Sequence, residues 1–474
     1  MNVLLIRPPN PLQHVKILTH TKPMNLAYLA SYLRKHSFKV CIVDYETRQY
    51  SDDDLFQILN DKKPSIIGVS CMTPTIRNGA KICYVVKKYS NDIVTVVGGP
   101  HANSLPVQVL KEFSAFDYLI YGEGEVTLLE LCNYVQNRSA LEQIKGLVYR
   151  NGNEIMQNPK RELINDLDEI PFPARDLFAY GKQVGHVSRG FSNKLLATTF
   201  YTSRGCPYSC GFCAIQNTFG RTVRFRKISK IEEEIRMLVK DYNFNHIVIA
   251  DDTFCLKKDR TMELCDVLKR NGIKSWSCDT RANTITKEVL VMMKKSGCKK
   301  VAFGVESGSK RILGLNNKQV TVEQIKSAVN WANEVGIKHV EGDFIIGSDP
   351  SETINDLEMT RKLILSLPWT LISVSVIVPF PGTHVYEIMR EKRMIHDDAD
   401  WEDFVMFGSS PKWHTEHFSS EDLIELQKKI TKEFYLRPNY MIQRLMRVGS
   451  AAEIGYWLSS AMAFLKWYSR GRLN

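Results

Sequence analysis

Over the first 145 residues, short β-branched apolar runs alternate with stretches whose apolar residues recur at helical spacing. Val3–Ile6, Val40–Val43, Ile66–Ser70, Ile93–Val97 and Tyr118–Tyr121 predict strands. Asn25–Lys35, Ser51–Leu59, Ile76–Tyr89 and Val126–Val135 predict the helices between them. Strands that are apolar nearly throughout, each followed by a helix, form parallel sheets covered on both faces. The expected fold class is α/β, opening with a doubly wound, Rossmann-like domain over 1–145. Residues 146–157, GLVYRNGNEIMQ, predict a β-hairpin with a type I′ turn at Asn151-Gly152. A proline-bearing stretch from Asn158 to about Ser192 includes Pro171 and Pro173. The fixed φ of proline predicts an ordered strap there, so 146–192 is read as hairpin and linker.

A second alternation starts at Leu195, with strands near 195–201, 246–251, 274–280, 299–305, 339–346 and 371–378. Helices at Lys230–Tyr242, Arg260–Asn271, Lys287–Ser296, Val322–Val335 and Ile354–Leu367 separate them, giving a six-unit βα domain over 193–385. Residues 386–474 read differently: an aromatic, polar stretch from Trp401 to His414, then helices at Ser420–Phe434, Asn439–Arg447 and Glu453–Arg470.

A chain of 474 residues has room for two or three domains with real cores. Its 44% apolar and 24% charged residues are those of an ordinary globular protein. The N-terminus MNVLLIRPPN lacks the pattern of a signal peptide, and no apolar run reaches spanning length. Eleven cysteines scattered through strands and helices point to a reducing cytoplasm. The net charge of +11 comes from 63 basic residues interleaved with 52 acidic ones. Mixed charge of that kind reads as a solvated surface, and no nucleic-acid partner is expected.

The chemistry concentrates in Cys206-Pro-Tyr-Ser-Cys210-Gly-Phe-Cys213, on the loop after the strand near 195–201. Thiolates suit soft metal sites, above all iron–sulfur clusters. Three thiolates on a four-iron cluster leave one iron open to a small molecule. Gly205 and Gly211 allow tight turns, and Phe212 places a ring between two ligands. A structural zinc site with a fourth ligand elsewhere, or a disulfide with a spare thiol, are the alternatives.

The stretch Ser203–Cys213 resembles the signature of radical S-adenosylmethionine (SAM) enzymes. The resemblance implies a [4Fe-4S] cluster held by Cys206, Cys210 and Cys213. It also implies SAM on the open iron, reductive cleavage to a 5′-deoxyadenosyl radical, and a flavodoxin- or ferredoxin-like electron donor. The six βα units are similar to the partial barrel of that family. Chemistry in such barrels sits at the carboxyl ends of the strands, which here carry Asp251, Asp252, Arg281 and Glu306. Glu306 resembles the strand-four residue that contacts SAM, Arg281 suits the SAM carboxylate, and Phe212 is placed with them. Ala250-Asp251-Asp252 stands where many members have a Gly-Gly-Glu-like stretch, which leaves the role of its carboxylates open.

The carboxyl-end loops of the first domain include Ser70 and Thr73, then Gly98-Gly99-Pro100-His101, then Gly122-Glu123-Gly124-Glu125. VVGGPHAN and YLIYGEGE together resemble the cobalamin-binding domain found upstream of many radical SAM barrels. Ser70, Thr73, Gly98, Gly99, Pro100, His101, Gly122, Glu123 and Glu125 are then the expected cobalamin-binding residues. The first loop, with His14 and His20, lacks the DxHxxG motif of the methionine-synthase type. Bound cobalamin is thus expected without a histidine ligand; a vestigial domain is the alternative.

IELQKKITKEFYLRP, from Ile424, resembles tails of enzymes related to the anaerobic magnesium-protoporphyrin ester cyclase. The resemblance implies radical modification of an unactivated carbon, most often C-methylation, of a small molecule. Cyclisation or oxygenation is the alternative within the family. A methylthiotransferase is the enzymatic rival, and a cobalamin-binding regulator the non-catalytic one. The segment Glu453–Arg470, with Trp457, Trp467 and flanking cations, suits either a helix capping the protein or peripheral contact with a membrane. That composition leans the expected substrate toward a hydrophobic molecule or lipid.

Overall fold

The computed structural model describes residues 1–11, 21–137, 140–178, 196–406, 411–438, 440–442 and 455. Two compact units form, one from Met1–Tyr180, Ala214–Gly220 and Asp400–Phe404, the other from Gly181–Cys213, Arg221–Ala399 and Val405–Asn474.

The first unit carries β1 (Asn2–Arg7), α1 (Met24–Lys35), β2 (Lys39–Asp44), α2 (Asp52–Lys62), β3 (Ile66–Ser70), α3 (Ile76–Tyr89) and β4 (Val94–Gly98). Two short helices, α4 (Pro100–Ser104) and α5 (Pro106–Glu112), precede β5 (Tyr118–Ile120) and α6 (Gly124–Asn137). The sheet order is β2-β1-β3-β4-β5, all parallel. Strand alternation explains the two cores. Leu4, Ile6, Ile67, Val69 and Val97 pack on one face, and Val3, Leu5, Ile66, Val96 and Ile120 on the other. Ser51 caps α2 by accepting the Asp54 N–H, with Asp52, Asp53 and Asp54 in its first turn.

The hairpin forms as β6 (Leu147–Asn151) and β7 (Glu154–Gln157), but it is not a separate linker element. Its first strand pairs antiparallel with β5 and extends the first sheet to seven strands. The turn also sits one residue later than the sequence suggests. Asn151 pairs with Glu154, Gly152 has φ +60°, and Asn153 is not left-handed. A glycine alone at positive φ in the first central position is the pattern of a type II′ turn, not I′. The strap is ordered over 158–178, its Ala174 N–H bonding to Ala27 and Arg175 buried beside Met24.

In the second unit six parallel strands follow one another in order: β8 (Ala197–Phe200), β11 (His246–Ile249), β12 (Ser275–Thr280), β13 (Cys298–Glu306), β14 (His339–Ile346) and β15 (Leu371–Val376). The intervening β9 (Ser203–Arg204) and β10 (Arg224–Phe225) form a small antiparallel pair. Between β9 and β10 lies α7 (Ile215–Phe219), which belongs to the first unit. The other helices are α8 (Ile228–Lys240), α9 (Lys258–Arg270), α10 (Lys287–Lys295), α11 (Lys310–Leu315), α12 (Val322–Glu334), α13 (Ile354–Ser366) and α14 (His384–Glu391). This is the partial barrel that six βα units imply.

An exposed edge strand invites pairing with other chains. Here α15 (Ser420–Tyr435) covers β15: Tyr435 Oη donates to the Ile372 carbonyl (2.7 Å) and accepts its N–H (3.0 Å), while Gln427 donates to Val374 (2.7 Å). The expected helix Glu453–Arg470, most of Asn439–Arg447, and His14 and His20 lie outside the described residues. Among those described, no helix is long and apolar enough to cross a membrane.

Candidate active site

After Phe200 the chain turns into the three-cysteine loop, and acids beyond β11 hold that turn. Asp251 accepts the backbone N–H groups of Thr202 (2.6 Å) and Ser203 (3.2 Å), the Ser203 hydroxyl (2.8 Å) and the Thr202 hydroxyl. Burial raises its pKa, and these four donors pull the other way. Asp252, still solvent-accessible, accepts the N–H of Gly205 (2.9 Å). Gly205 has φ +95°, which glycine adopts without strain. Gly211 makes no such demand. Its φ is not left-handed, and a Cβ there would meet Asn316 at an ordinary 3.5 Å.

Cys206 is buried, Cys210 half-buried and Cys213 exposed, and none of the eleven cysteines forms a disulfide. The loop is tied down by Gly211 N–H to the Asn316 carbonyl (3.0 Å), Val385 N–H to the Gly211 carbonyl (3.1 Å) and Asn317 Nδ2 to Ser209 Oγ (2.5 Å). Among the described residues, no three Cys, His, Asp or Glu side chains gather tightly enough to enclose a metal ion. Polar groups already address two of the sulfurs. Thr253 Oγ1 stands 3.4 Å from Cys206 Sγ, and Arg281 Nη1 donates to Cys210 Sγ at 3.5 Å. Hydrogen bonds to ligand sulfurs tune such clusters. The donor set fits a [4Fe-4S] cluster.

Arg281 is buried at the end of β12, its guanidinium 3.6 Å from the Tyr208 ring centroid. Its Nη2 has no hydrogen-bond partner among the described residues. Glu306 ends β13 at φ +67°, buried, and accepts from Lys318 Nζ at 2.5 Å. The Lys318 ammonium in turn sits 5.8 Å from the centroid of the Phe212 ring. The structure thus brings Phe212, Arg281, Glu306 and the cysteines into one unit with Asp252. Asp251 serves the loop beneath them.

In the first unit, loops after β3, β4 and β5 converge. Gly99 has φ +101°, and a Cβ there would stand 2.7 Å from the Cys71 carbonyl oxygen. Ser70 Oγ accepts from Asn25 (2.7 Å), and His101 Nδ1 lies 3.2 Å from Thr73 Oγ1. The Gly122 N–H donates to Asn103 Oδ1 (2.9 Å), and a Cβ on Gly122 would meet only the Lys160 side chain at 4.0 Å. Burial takes the His101 pKa down to about 4, so the ring is neutral, and its Nε2 has no partner among the described residues. Convergent glycine-bearing loops with an unsatisfied buried nitrogen fit a bulky, hydrogen-bonding ligand such as cobalamin. Glu123 and Glu125 are buried, and Glu123 accepts the Ile164 N–H of the strap (2.8 Å).

Sequence reasoning missed Lys318 and Asn316, which reach the cluster loop and its neighbours from other barrel loops. It also missed Trp401, whose ring packs 4.7 Å from that of His101 and whose Nε1 donates to Glu112 (2.9 Å). Long separation in sequence leaves no local signal for any of these. The N-terminal Cys71, Cys83 and Cys132 are buried and Cys41 half-buried.

Residues 15–132 match the family described as B12 binding domain, and residues 200–364 the Radical SAM superfamily. An uncharacterized methyltransferase of Pyrococcus horikoshii is 32% identical over 94% of both chains. The anaerobic magnesium-protoporphyrin IX monomethyl ester cyclase of Rubrivivax gelatinosus is 30% identical, over 84% of this chain and 71% of its own. Among solved structures, the cobalamin-dependent radical enzyme OxsB matches with a TM-score of 0.74 at 19% identity, covering 99% of this chain and 72% of its own. The methyltransferase TsrM of Kitasatospora setae matches at 0.70 and 18%, over 84% and 81%. At such identities these two likenesses are of fold. The relatives alike in sequence along most of both chains settle the family. The chain belongs to the radical SAM superfamily, among the enzymes that carry a B12-binding domain ahead of the radical SAM domain.

Proposed function

We propose that this cobalamin-dependent radical SAM enzyme transfers a methyl group to an unactivated carbon of a small-molecule substrate. One arrangement carries the reading: Arg281 addresses Cys210 Sγ with Nη1 and leaves Nη2 unsatisfied beside it. A planar, buried fork with a spare donor next to a cluster ligand suits the carboxylate of SAM. Asp252 holds Gly205 through one oxygen and keeps the other for the SAM ammonium. Glu306, fixed by Lys318, and Phe212 complete the SAM-binding set. Asp251 is a bracing residue and not a ligand of SAM. Ser70, Thr73, Gly98, Gly99, Pro100, His101 and Gly122 line the cobalamin cradle, with Glu123 and Glu125 supporting its last loop. When bound, the cluster supplies the electron that cleaves SAM and cobalamin supplies the methyl group. The reductant is an electron-transfer protein of the flavodoxin or ferredoxin kind.

The name of the Pyrococcus relative favours methylation, and that of the Rubrivivax relative favours cyclisation as the second reading. Anaerobically reconstituted protein, given methyl-labelled SAM and a small-molecule extract, separates them. Methylation predicts 5′-deoxyadenosine and S-adenosylhomocysteine in equal amounts, with label in the product. 5′-Deoxyadenosine without S-adenosylhomocysteine overturns methylation and supports cyclisation or oxygenation. Electron paramagnetic resonance of the cob(II)alamin form should lack axial nitrogen splitting. Splitting that vanishes on changing His14, His20 or His101 contradicts the histidine-free cobalamin.

A further inference from the structure

The segment Asp400–Phe404 lies beyond the barrel in sequence, yet it folds as part of the first unit. Three contacts fix its indole in place. Asp400 pairs with Arg77 of α3 (2.5 Å) and caps the turn Trp401–Asp403 by accepting the Glu402 N–H (3.2 Å). Trp401 Nε1 donates to both carboxylate oxygens of Glu112, at the end of α5 (2.9 and 3.1 Å). The Phe404 ring packs on the other side of the turn, its centroid 5.4 Å from that of Trp401.

What the indole meets belongs to the loops after β3 and β4. Its turn packs against the turn Thr73–Thr75, and its ring meets that of His101 edge to face, 4.7 Å between centroids at 67°. His101 is only 1% exposed, so its orientation is set by what touches it. Thr73 Oγ1 engages Nδ1 and Trp401 packs on the ring, while Nε2 has no partner among the described residues. A buried polar atom left unpaired costs stability, so an imidazole clamped on two sides with its second nitrogen open points to a ligand.

We propose that Trp401 is a positioning residue for cobalamin, acting through His101: the anchored indole fixes the imidazole before the ligand arrives. Fixing a binding group in advance lowers the ordering cost paid on association. The inference rests on the reading that these loops bind cobalamin. It extends the binding module to a segment far beyond the matched domain, which ends at residue 132.

The test is equilibrium dialysis of hydroxocobalamin against the anaerobically reconstituted full chain, read by visible absorbance. Trp401→Ala should weaken binding about threefold to tenfold, the scale of one aromatic pair. Trp401→Phe keeps an aromatic edge for His101 and loses only the bond to Glu112, so it should restore affinity to within about twofold. In a His101→Leu background, Trp401→Ala should cost no more than about twofold further, because the group it positions is gone. Melting curves confirm that each variant folds. Unchanged binding by Trp401→Ala overturns the inference. So does a phenylalanine variant as weak as the alanine one, or a loss of equal size in the His101→Leu background, which would make Trp401 a support independent of His101. If the wild type retains no hydroxocobalamin, the cobalamin reading falls and takes the inference with it. If the wild type binds and the variants fail as stated, only the inference falls.

Discussion

Arg281 reaches Cys210 with one nitrogen, Nη1 to Sγ at 3.5 Å, while its guanidinium lies over the Tyr208 ring, 3.6 Å from the centroid. Making both contacts at once takes a broad, planar guanidinium, which lysine's point charge does not offer. Arg281→Lys should therefore keep the iron but weaken SAM binding about tenfold to hundredfold, the usual scale for groups that orient metal ligands. Equilibrium binding of SAM to reconstituted protein, with iron analysis alongside, checks this. Unchanged SAM affinity would remove Arg281 from the site.

The Glu306–Lys318 pair is buried on both sides, and Glu306 adopts a left-handed φ of +67° to make it. Strained backbone at a strand end persists when surrounding contacts hold it. Lys318→Met leaves the carboxylate buried and uncompensated, which should destabilise the protein by about 3–5 kcal/mol. Chemical denaturation of the purified protein measures it. The double change with Glu306→Gln should recover part of the loss.

Gly99 is the tightest point of the loops proposed to cradle cobalamin. A Cβ there would press on the Cys71 backbone at 2.7–2.8 Å, and φ is +101°. Gly99→Ala should cost about 1–3 kcal/mol and reduce the cobalamin retained after gel filtration. Retention equal to wild type would move the ligand away from this loop.

Glu352 gives the fold a pH dependence. It is fully buried, its Oε2 accepts the Gly347 N–H (2.5 Å), and its Oε1 has no partner among the described residues. Burial pushes its pKa up to about 8, against the Gly347 hydrogen bond and with help from Asp356 and Asp349. Between the ordinary glutamate pKa and about 8, the folded state holds a proton that the unfolded state has lost. Stability should then fall as pH rises through that window, by a few kcal/mol in order of magnitude. Glu352→Gln should flatten the slope. Melting curves from pH 5 to about 9 decide the matter.

The strands and helices were legible because their signal is local. Ile76–Tyr89 is read and found with the same ends, and five barrel helices match within two residues. The cysteine loop was legible for the same reason, since its spacing lies within eight consecutive residues. Side-chain roles were less so. Asp251 and Glu306 occupy equivalent strand-end positions, yet one braces the turn at Thr202 and Ser203 while the other pairs with Lys318. Nothing local distinguishes them, because their partners arrive from other loops. The hairpin erred by one residue because Asn151-Gly152 and Gly152-Asn153 are both favourable turn pairs, and pairing with β5 chooses between them. Which strand residues stand side by side was not legible, for a related reason. Asp279, Ala302 and Glu341 are far apart in the chain and meet only through strand register.

The central claim is that Cys206, Cys210 and Cys213 hold the cluster at which SAM is cleaved. The most direct measurement compares anaerobically reconstituted wild type with the triple variant Cys206→Ala, Cys210→Ala, Cys213→Ala. Iron and sulfide content and dithionite-dependent 5′-deoxyadenosine formation are read together. The wild type should carry four irons per cluster and form 5′-deoxyadenosine. The variant should fold, lack the cluster's iron, sulfide and absorption, and form none. A variant that binds the same iron and still cleaves SAM would contradict the account.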